Sequence, residues 1–243
     1  MGARTPAIAS LTAGAVGVLI MRRWQMRWGA TDEEVDASLP GDELVADPDV
    51  VATRAVTVRA DASYVWPWVA QLGQGRGGFY SYDVLENLAG CDLHSADRIV
   101  GKWQQVGVGD PFKLHPDVAL EVAVVEPGRA LVVRGGVPMG DTAPPYDFTW
   151  AFVVMDRSAG TSRLVVRERY RYSRRWAGLL VEPLQVVSFV MSQKMLRGIR
   201  DRAERSPIVD DVAAGDPDRV APPAASLRVA RPAGAPAGFT GPG

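Results

Sequence analysis

Between Val51 and Glu204 the chain runs as a strand, a tryptophan-rich helix, a glycine loop, a series of alternating strands and one long amphipathic helix. Few folds accommodate that order. The strand Val51–Arg59 leads straight into Asp61-Ala-Ser-Tyr-Val-Trp-Pro-Trp-Val-Ala-Gln-Leu72. The later strands are joined by short turns, which favours antiparallel pairing. A sheet must bury its apolar face against another layer, and the long helix near the end is the element able to cover it. The expectation is therefore an α+β fold, a curved antiparallel sheet wrapped around a long C-terminal helix with a cavity between them. That is the shape of a container rather than of a catalyst.

Alternation places Arg54, Val56 and Val58 on one face of the first strand. Helix is expected over Tyr64–Leu72, with Pro67 forcing either a cap as late as Ser63 or a local bend. After Gly73-Gln-Gly-Arg-Gly-Gly78 a short helix over Phe79–Leu88 is expected, followed by strands over Asp110–Leu114, Leu120–Glu126, Ala130–Arg134, Phe148–Met155 and Leu164–Tyr172. Glu126-Pro-Gly-Arg129, the Gly135–Pro145 loop and Ser158-Ala-Gly160 mark the turns. Trp176–Glu204 reads as the long helix, interrupted by Pro183, with Val187, Val190, Met191, Met195 and Ile199 recurring at helical steps.

Four segments are expected. Residues 1–30 hold a charge-free run, Pro6–Met21, whose 16 residues span ~24 Å as a helix against a hydrocarbon core of ~30 Å. Continuation past Arg22 and Arg23, with their heads snorkelling and Trp24 and Trp28 at the interface, gives a single-pass membrane anchor. A cleaved signal peptide is the rival, but the run ends in Arg22-Arg23-Trp24 rather than in a small-residue cleavage site. Arg22, Arg23 and Arg27 after the span place the globular part in the cytoplasm. Residues 31–50 read as a short helix, started by the capping box Thr31–Glu34, and an acidic linker. Residues 51–205 form the domain. Residues 206–243, mostly Ala, Pro and Gly, read as a disordered tail.

Composition excludes several functions. A net charge of −1 lacks the basic footprint that nucleic acid demands, and one cysteine, Cys91, precludes an intrachain disulfide. Charge is nevertheless uneven: Arg157–Arg205 carries 12 Lys/Arg against 4 Asp/Glu. That basic flank reads as solvated strand and helix faces, with anionic lipid headgroups as the alternative partner.

The glycines of Gly73–Gly78 follow a helix and precede no Lys-Ser/Thr, so they form no phosphate loop. A cavity-mouth loop is expected instead, with Arg76 available to a polar ligand head. Cys91 and His94 sit at a metal-compatible spacing, yet His115 is the only other histidine, and neither a metal nor an organic cofactor is expected. On the last strand Leu164, Val166, Glu168, Tyr170 and Tyr172 share the apolar, inward face, while Arg163, Val165, Arg167, Arg169 and Arg171 share the other. A buried Glu168 demands a partner, and Arg54 on the neighbouring first strand supplies it. The pair is either structural or a polar anchor for a ligand headgroup. Phe148, Trp150 and Phe152 stripe one face of their strand as core or cavity wall.

The segments Val65-Trp-Pro-Trp-Val-Ala-Gln-Leu72, Gly77-Gly-Phe-Tyr-Ser-Tyr-Asp-Val-Leu-Glu-Asn87, Val108-Gly-Asp110 and Met195-Leu-Arg-Gly-Ile199 together resemble the START-like superfamily. Within it the likeness is to the SRPBCC branch of polyketide cyclase/dehydrase and lipid-transport proteins, over about Val51–Glu204. The resemblance implies the helix-grip fold and leaves activity open, because fold alone does not set function. The expected cavity residues are Arg54, Arg76, Tyr80, Trp150, Phe152, Val166, Glu168 and Tyr170, with Met191 and Met195 of the long helix as the lid. The leading expectation is a membrane-anchored domain binding an apolar small molecule or lipid. A polyketide aromatase/cyclase and a protein-interaction adaptor with a filled cavity are the alternatives. No catalytic residue is assigned, since no acid/base set of suitable spacing stands out.

Overall fold

The computed structural model of the chain describes residues 16–88, 90–136, 142–158 and 160–205. Pro6 to Ala15, the centre of the Gly135–Pro145 loop and the whole 206–243 tail lie outside the described residues. Six strands form one antiparallel sheet in the order β1-β6-β5-β4-β3-β2: β1 (Val50–Val58), β2 (Pro111–His115), β3 (Val118–Glu126), β4 (Ala130–Gly135), β5 (Tyr146–Ser158) and β6 (Thr161–Tyr172). The first and last strands are neighbours, with Arg54 opposite Val166 and Ala52 opposite Glu168. Glu126-Pro-Gly-Arg129 closes the β3–β4 hairpin, where Arg129 N–H donates to Glu126 O and Gly128 takes a φ of 82°. Glycine adopts that left-handed conformation without steric cost.

Five helices are described: α1 (16–26), α2 (Asp32–Asp36), α3 (Ala62–Ala70), α4 (Asp83–Leu88) and α5 (Ala177–Arg205). The 29-residue α5 lies across the concave face against β1 and α3, while α3 packs on β5 and β6. This is the helix-grip arrangement. Val65, Trp66, Trp68 and Val69 of α3 join Phe79, Phe112, Phe152, Val166, Met195 and Ile199 in the main core. Helix α3 begins at Ala62, so Pro67 is accommodated inside it rather than at its start.

The acidic stretch before β1 differs from the linker its composition suggests. Thr31 caps α2 through its Oγ1, which accepts from Glu34 N–H at 3.2 Å, and Glu34 Oε2 accepts from Thr31 N–H at 3.0 Å. Glu34 also accepts from Arg163 at 2.6 Å and Arg157 at 3.1 Å. Arg167 donates to Asp42 at 2.6 Å and to the carbonyls of Glu34, Val35 and Ala37. Residues 31–46 therefore lie on the convex sheet face as a strap, and Arg163 and Arg167 are buried beneath it. The basic strand face is thus neither solvated nor turned to lipid at these two positions: its arginines meet the strap's carboxylates. Burial alone would raise the Glu34 carboxyl, but the hydrogen bonds from Arg163, Thr31 N–H and Arg157 outweigh it and hold the group below its ordinary value.

Helix α1 packs its C-terminal turn on the domain. Met26 and Gln25 are buried, Trp24 meets Phe189 edge-on at 5.2 Å, and Arg22 makes a two-point ion pair with Glu182 at 2.6 and 3.0 Å. Among the described residues no helix is long and apolar enough to cross a membrane.

Candidate functional site

Arg54 and Glu168 face each other on adjacent strands at 2.7 Å, with side chains 1% and 2% exposed. Glu168 Oε1 accepts further bonds from Ser188 at 2.5 Å and Ser192 at 3.2 Å, and Tyr170 donates to Oε2 at 3.3 Å. Arg54 also donates to Gln25 O at 3.1 Å and to Gln185 Oε1 at 3.4 Å. A carboxylate offers about four acceptor sites and a guanidinium five donors, so most of the pair's capacity is taken by protein. Burial pushes the Tyr170 hydroxyl well above its usual range, and the Glu168 charge adds to the effect. The residues that saturate the pair, Gln185, Ser188 and Ser192, were not anticipated. They recur at helical spacing on an otherwise apolar stretch, which is the signal that marks them.

The stripe expected on α5 is displaced for the same reason. Val187 and Val190 were expected inward but are exposed, 57% and 42%, and the inward face of that half carries Val181, Gln185, Ser188 and Ser192. Only from Met195 onward does an apolar stripe, Met195, Leu196 and Ile199, point into the core.

Arg76 closes its own loop. Gly73 and Gly78 pair as an isolated bridge, and the Arg76 guanidinium donates to Ala70 O at 2.9 Å and to Trp103 O. Burial lowers its pKa, with partial compensation from Asp110. Among the described residues Arg76 and the Arg54–Glu168 pair share no hydrogen-bond partner, and they do not form one polar cluster. Tyr80 is buried, accepts from Gln71 Nε2 at 2.9 Å, donates to Trp68 O at 3.2 Å and lies under the Arg202 guanidinium. Its left-handed φ of 55° is uncommon for a non-glycine residue and turns the chain into the close contact with Gly198.

Trp150 is the centre of an aromatic group. Its ring stacks on Phe79 at 6.1 Å and meets Phe112 and Phe152 at 6.2 and 4.7 Å. Phe152, Val166 and Met195 are sealed, whereas Trp150, Phe148, Leu114 and Met191 are only partly buried. The concave face is therefore closed at depth and less complete toward the start of β5. The Trp150 indole N–H is buried without an acceptor among the described residues, a state that costs free energy unless another group accepts it. Met191 lies beside the loop after α3, where its carbonyl accepts from Ser81 Oγ at 3.3 Å.

Glu86 of α4 is a further unanticipated group. Its Oε2 finds no partner among the described residues, and burial, reinforced by Asp83, pushes the carboxyl up to about 7. Burial, then the Glu86 charge, raises the Cys91 thiol. His94 lies out in solvent beside Asp92, and among the described residues no group of three or more His, Cys, Asp and Glu side chains is placed to hold a metal ion. An open hollow of about 1160 Å³ lies between Glu121, Arg134, Pro144, Tyr146, Arg174 and Trp176, and none of the expected cavity residues lines it.

No protein-family model matches the chain, and no curated protein matches it. Solved structures do. The chain is similar to the di-domain ARO/CYC BexL of the BE-7585A biosynthetic pathway at 15% identity over 64% of this chain, with a TM-score of 0.37, and spans 46% of that protein. It is also similar to the Zhui aromatase/cyclase from Streptomyces sp. R1128 (17% identity, 64% of this chain, 94% of that one, TM-score 0.38). Norcoclaurine synthase from Thalictrum flavum is a third (14%, 63% and 84%, TM-score 0.39). These values mark a distant likeness of architecture. The functional reading rests on the residues themselves.

Proposed function

We propose that this helix-grip domain is a START-like binder of an apolar small molecule or lipid, held at a membrane by its N-terminal segment with the domain on the cytoplasmic side. The observation that supports it is the incomplete aromatic wall of β5. Phe148 and Trp150 leave apolar surface uncovered on a face whose deeper residues are sealed, and the Trp150 N–H awaits an acceptor. Ligand pockets combine apolar walls with few polar groups. The seat is therefore placed between Leu114, Phe148, Trp150 and Met191, toward the start of β5. The Arg54–Glu168 pair is read as structural, since its partners are protein groups. A second reading, an interaction module with a filled interior, is favoured by the close packing of Phe79, Phe112, Trp150 and Phe152.

Titration of the full chain with cis-parinaric acid and with a polycyclic aromatic dye, read by energy transfer from tryptophan, separates the two. A binder gives saturable uptake near one molecule per chain, lost in Met191→Trp while far-UV circular dichroism is unchanged. If neither probe saturates and native mass spectrometry gives the bare chain mass, the filled module is correct.

A further inference from the structure

The first half of α5 is inside out. Its inward face carries Gln185, Ser188 and Ser192 to serve the buried ion pair. Its outward face carries Leu179, Leu180, Leu184, Val187 and Val190, each 36% exposed or more, and the exposed Trp176 stands in the turn just before the helix. At 100° per residue these positions fall in one stripe. Between Trp176 and Gln193 the only charged residue is Glu182, and it is taken by Arg22 of α1. That ion pair and the Trp24–Phe189 contact fasten α1 along the flank of α5. Val16, Val18, Leu19, Ile20 and Met21 of α1 are themselves exposed. Two adjoining helices thus turn apolar residues outward, whereas soluble domains rarely leave so large a patch open.

The rim identifies what covers it. Arg174 and Arg175 precede the stripe, Lys194 and Arg197 follow it, and Arg23 stands on α1, all exposed. Trp24 and Trp176 are half-exposed at its borders. An uncharged apolar stripe bracketed by basic residues, with tryptophans at the edge, matches the layers of an anionic bilayer surface. A second copy of the chain packed on this face would bring basic rim against basic rim. We propose that the outer face of α5, with α1 beside it, lies in the headgroup layer of an anionic membrane. The domain is then docked flat on the surface rather than hung from a flexible tether. This goes beyond ligand binding and stands or falls independently of it.

The test uses the full chain carrying Cys91→Ser and Val187→Cys, labelled with nitrobenzoxadiazole and mixed with phosphatidylcholine vesicles containing about 30% phosphatidylserine. Docking predicts a blue-shifted emission, brighter by several-fold and protected from iodide. The same label at Lys113→Cys, exposed on β2, stays unchanged. Arg174→Glu combined with Arg175→Glu weakens the response about tenfold on anionic vesicles and leaves pure phosphatidylcholine unaffected. Three results overturn the proposal. The chain floats with vesicles while the label at 187 stays in water; the label is shielded without lipid and the mass doubles; or the chain ignores vesicles altogether. Parinaric acid uptake is measured on the same samples, so loss of the ligand reading is seen separately from loss of docking.

Discussion

Replacing Glu168 by glutamine preserves shape and removes one charge at the centre of the fold. Arg54 then keeps its positive charge at 0% exposure, with no water to solvate it. In either orientation the glutamine NH2 also replaces an oxygen that now accepts, from Tyr170 at Oε2 or from Arg54, Ser188 and Ser192 at Oε1. Breaking one side of a buried ion pair costs about 3–5 kcal/mol. For a domain of this size each kcal/mol moves the melting temperature by about 2–4 °C, so Glu168→Gln is expected to lower it by roughly 6–20 °C. Removing the stranded charge as well, in Glu168→Gln with Arg54→Met, should restore part of the loss, because the two sites are coupled. Urea unfolding of the full chain followed by tryptophan fluorescence gives both values. A loss below about 1 kcal/mol for Glu168→Gln, or simple additivity in the double variant, refutes the structural role assigned to the pair.

Glu86 makes stability depend on pH in the direction opposite to an ordinary paired carboxylate. Its folded pKa of about 7 lies above the unfolded value, so the folded chain binds more protons near pH 6, and this site's contribution to stability falls as pH rises toward 7; Glu86→Gln should flatten that slope in melting curves taken between pH 5 and 8, and an unchanged slope would place the titration elsewhere. Gly198→Ala sets two terms against each other. Helix propensity favours alanine by about 1 kcal/mol, but a Cβ here would sit 2.3 Å from Tyr80 O, and overpacking costs about 1–3 kcal/mol. A net loss of stability is expected, and a rise in melting temperature would show that the loop after α3 yields freely.

Much of the fold was legible because local patterns and long-range needs agree. Alternation located each strand to within a few residues, and the demand that a buried carboxylate find a cation led from Glu168 to Arg54 across 114 positions of chain. The strap was not legible. In sequence Glu34 reads only as the capping-box partner of Thr31 and Asp42 as part of an acidic linker, while Arg163 and Arg167 look like a solvated basic face. Only their meeting across the sheet explains both, and neither segment announces the other. Arg76 was misjudged for a different reason. A long cation in a glycine loop reads as reaching outward, but the Ala70 and Trp103 carbonyls draw it back across its own loop.

The helix α5 shows why the site was harder to see than the fold. Periodicity assigns apolar residues to the core by default, and by that rule Val187 and Val190 belong inside. The rule fails where the core contains a charge pair, because a buried pair must be hydrogen-bonded on every side to offset its desolvation. The helix covering it then turns polar groups inward, and in this chain the apolar residues of the same turns face out. This helix fills its outward positions with apolar residues, an arrangement that carries a free-energy cost unless something apolar covers them. Arg54 and Glu168 on the sheet, and Leu179 and Val187 on the opposite side of α5, are two ends of one constraint. Whatever covers the outer stripe also contributes to holding the inner pair in place.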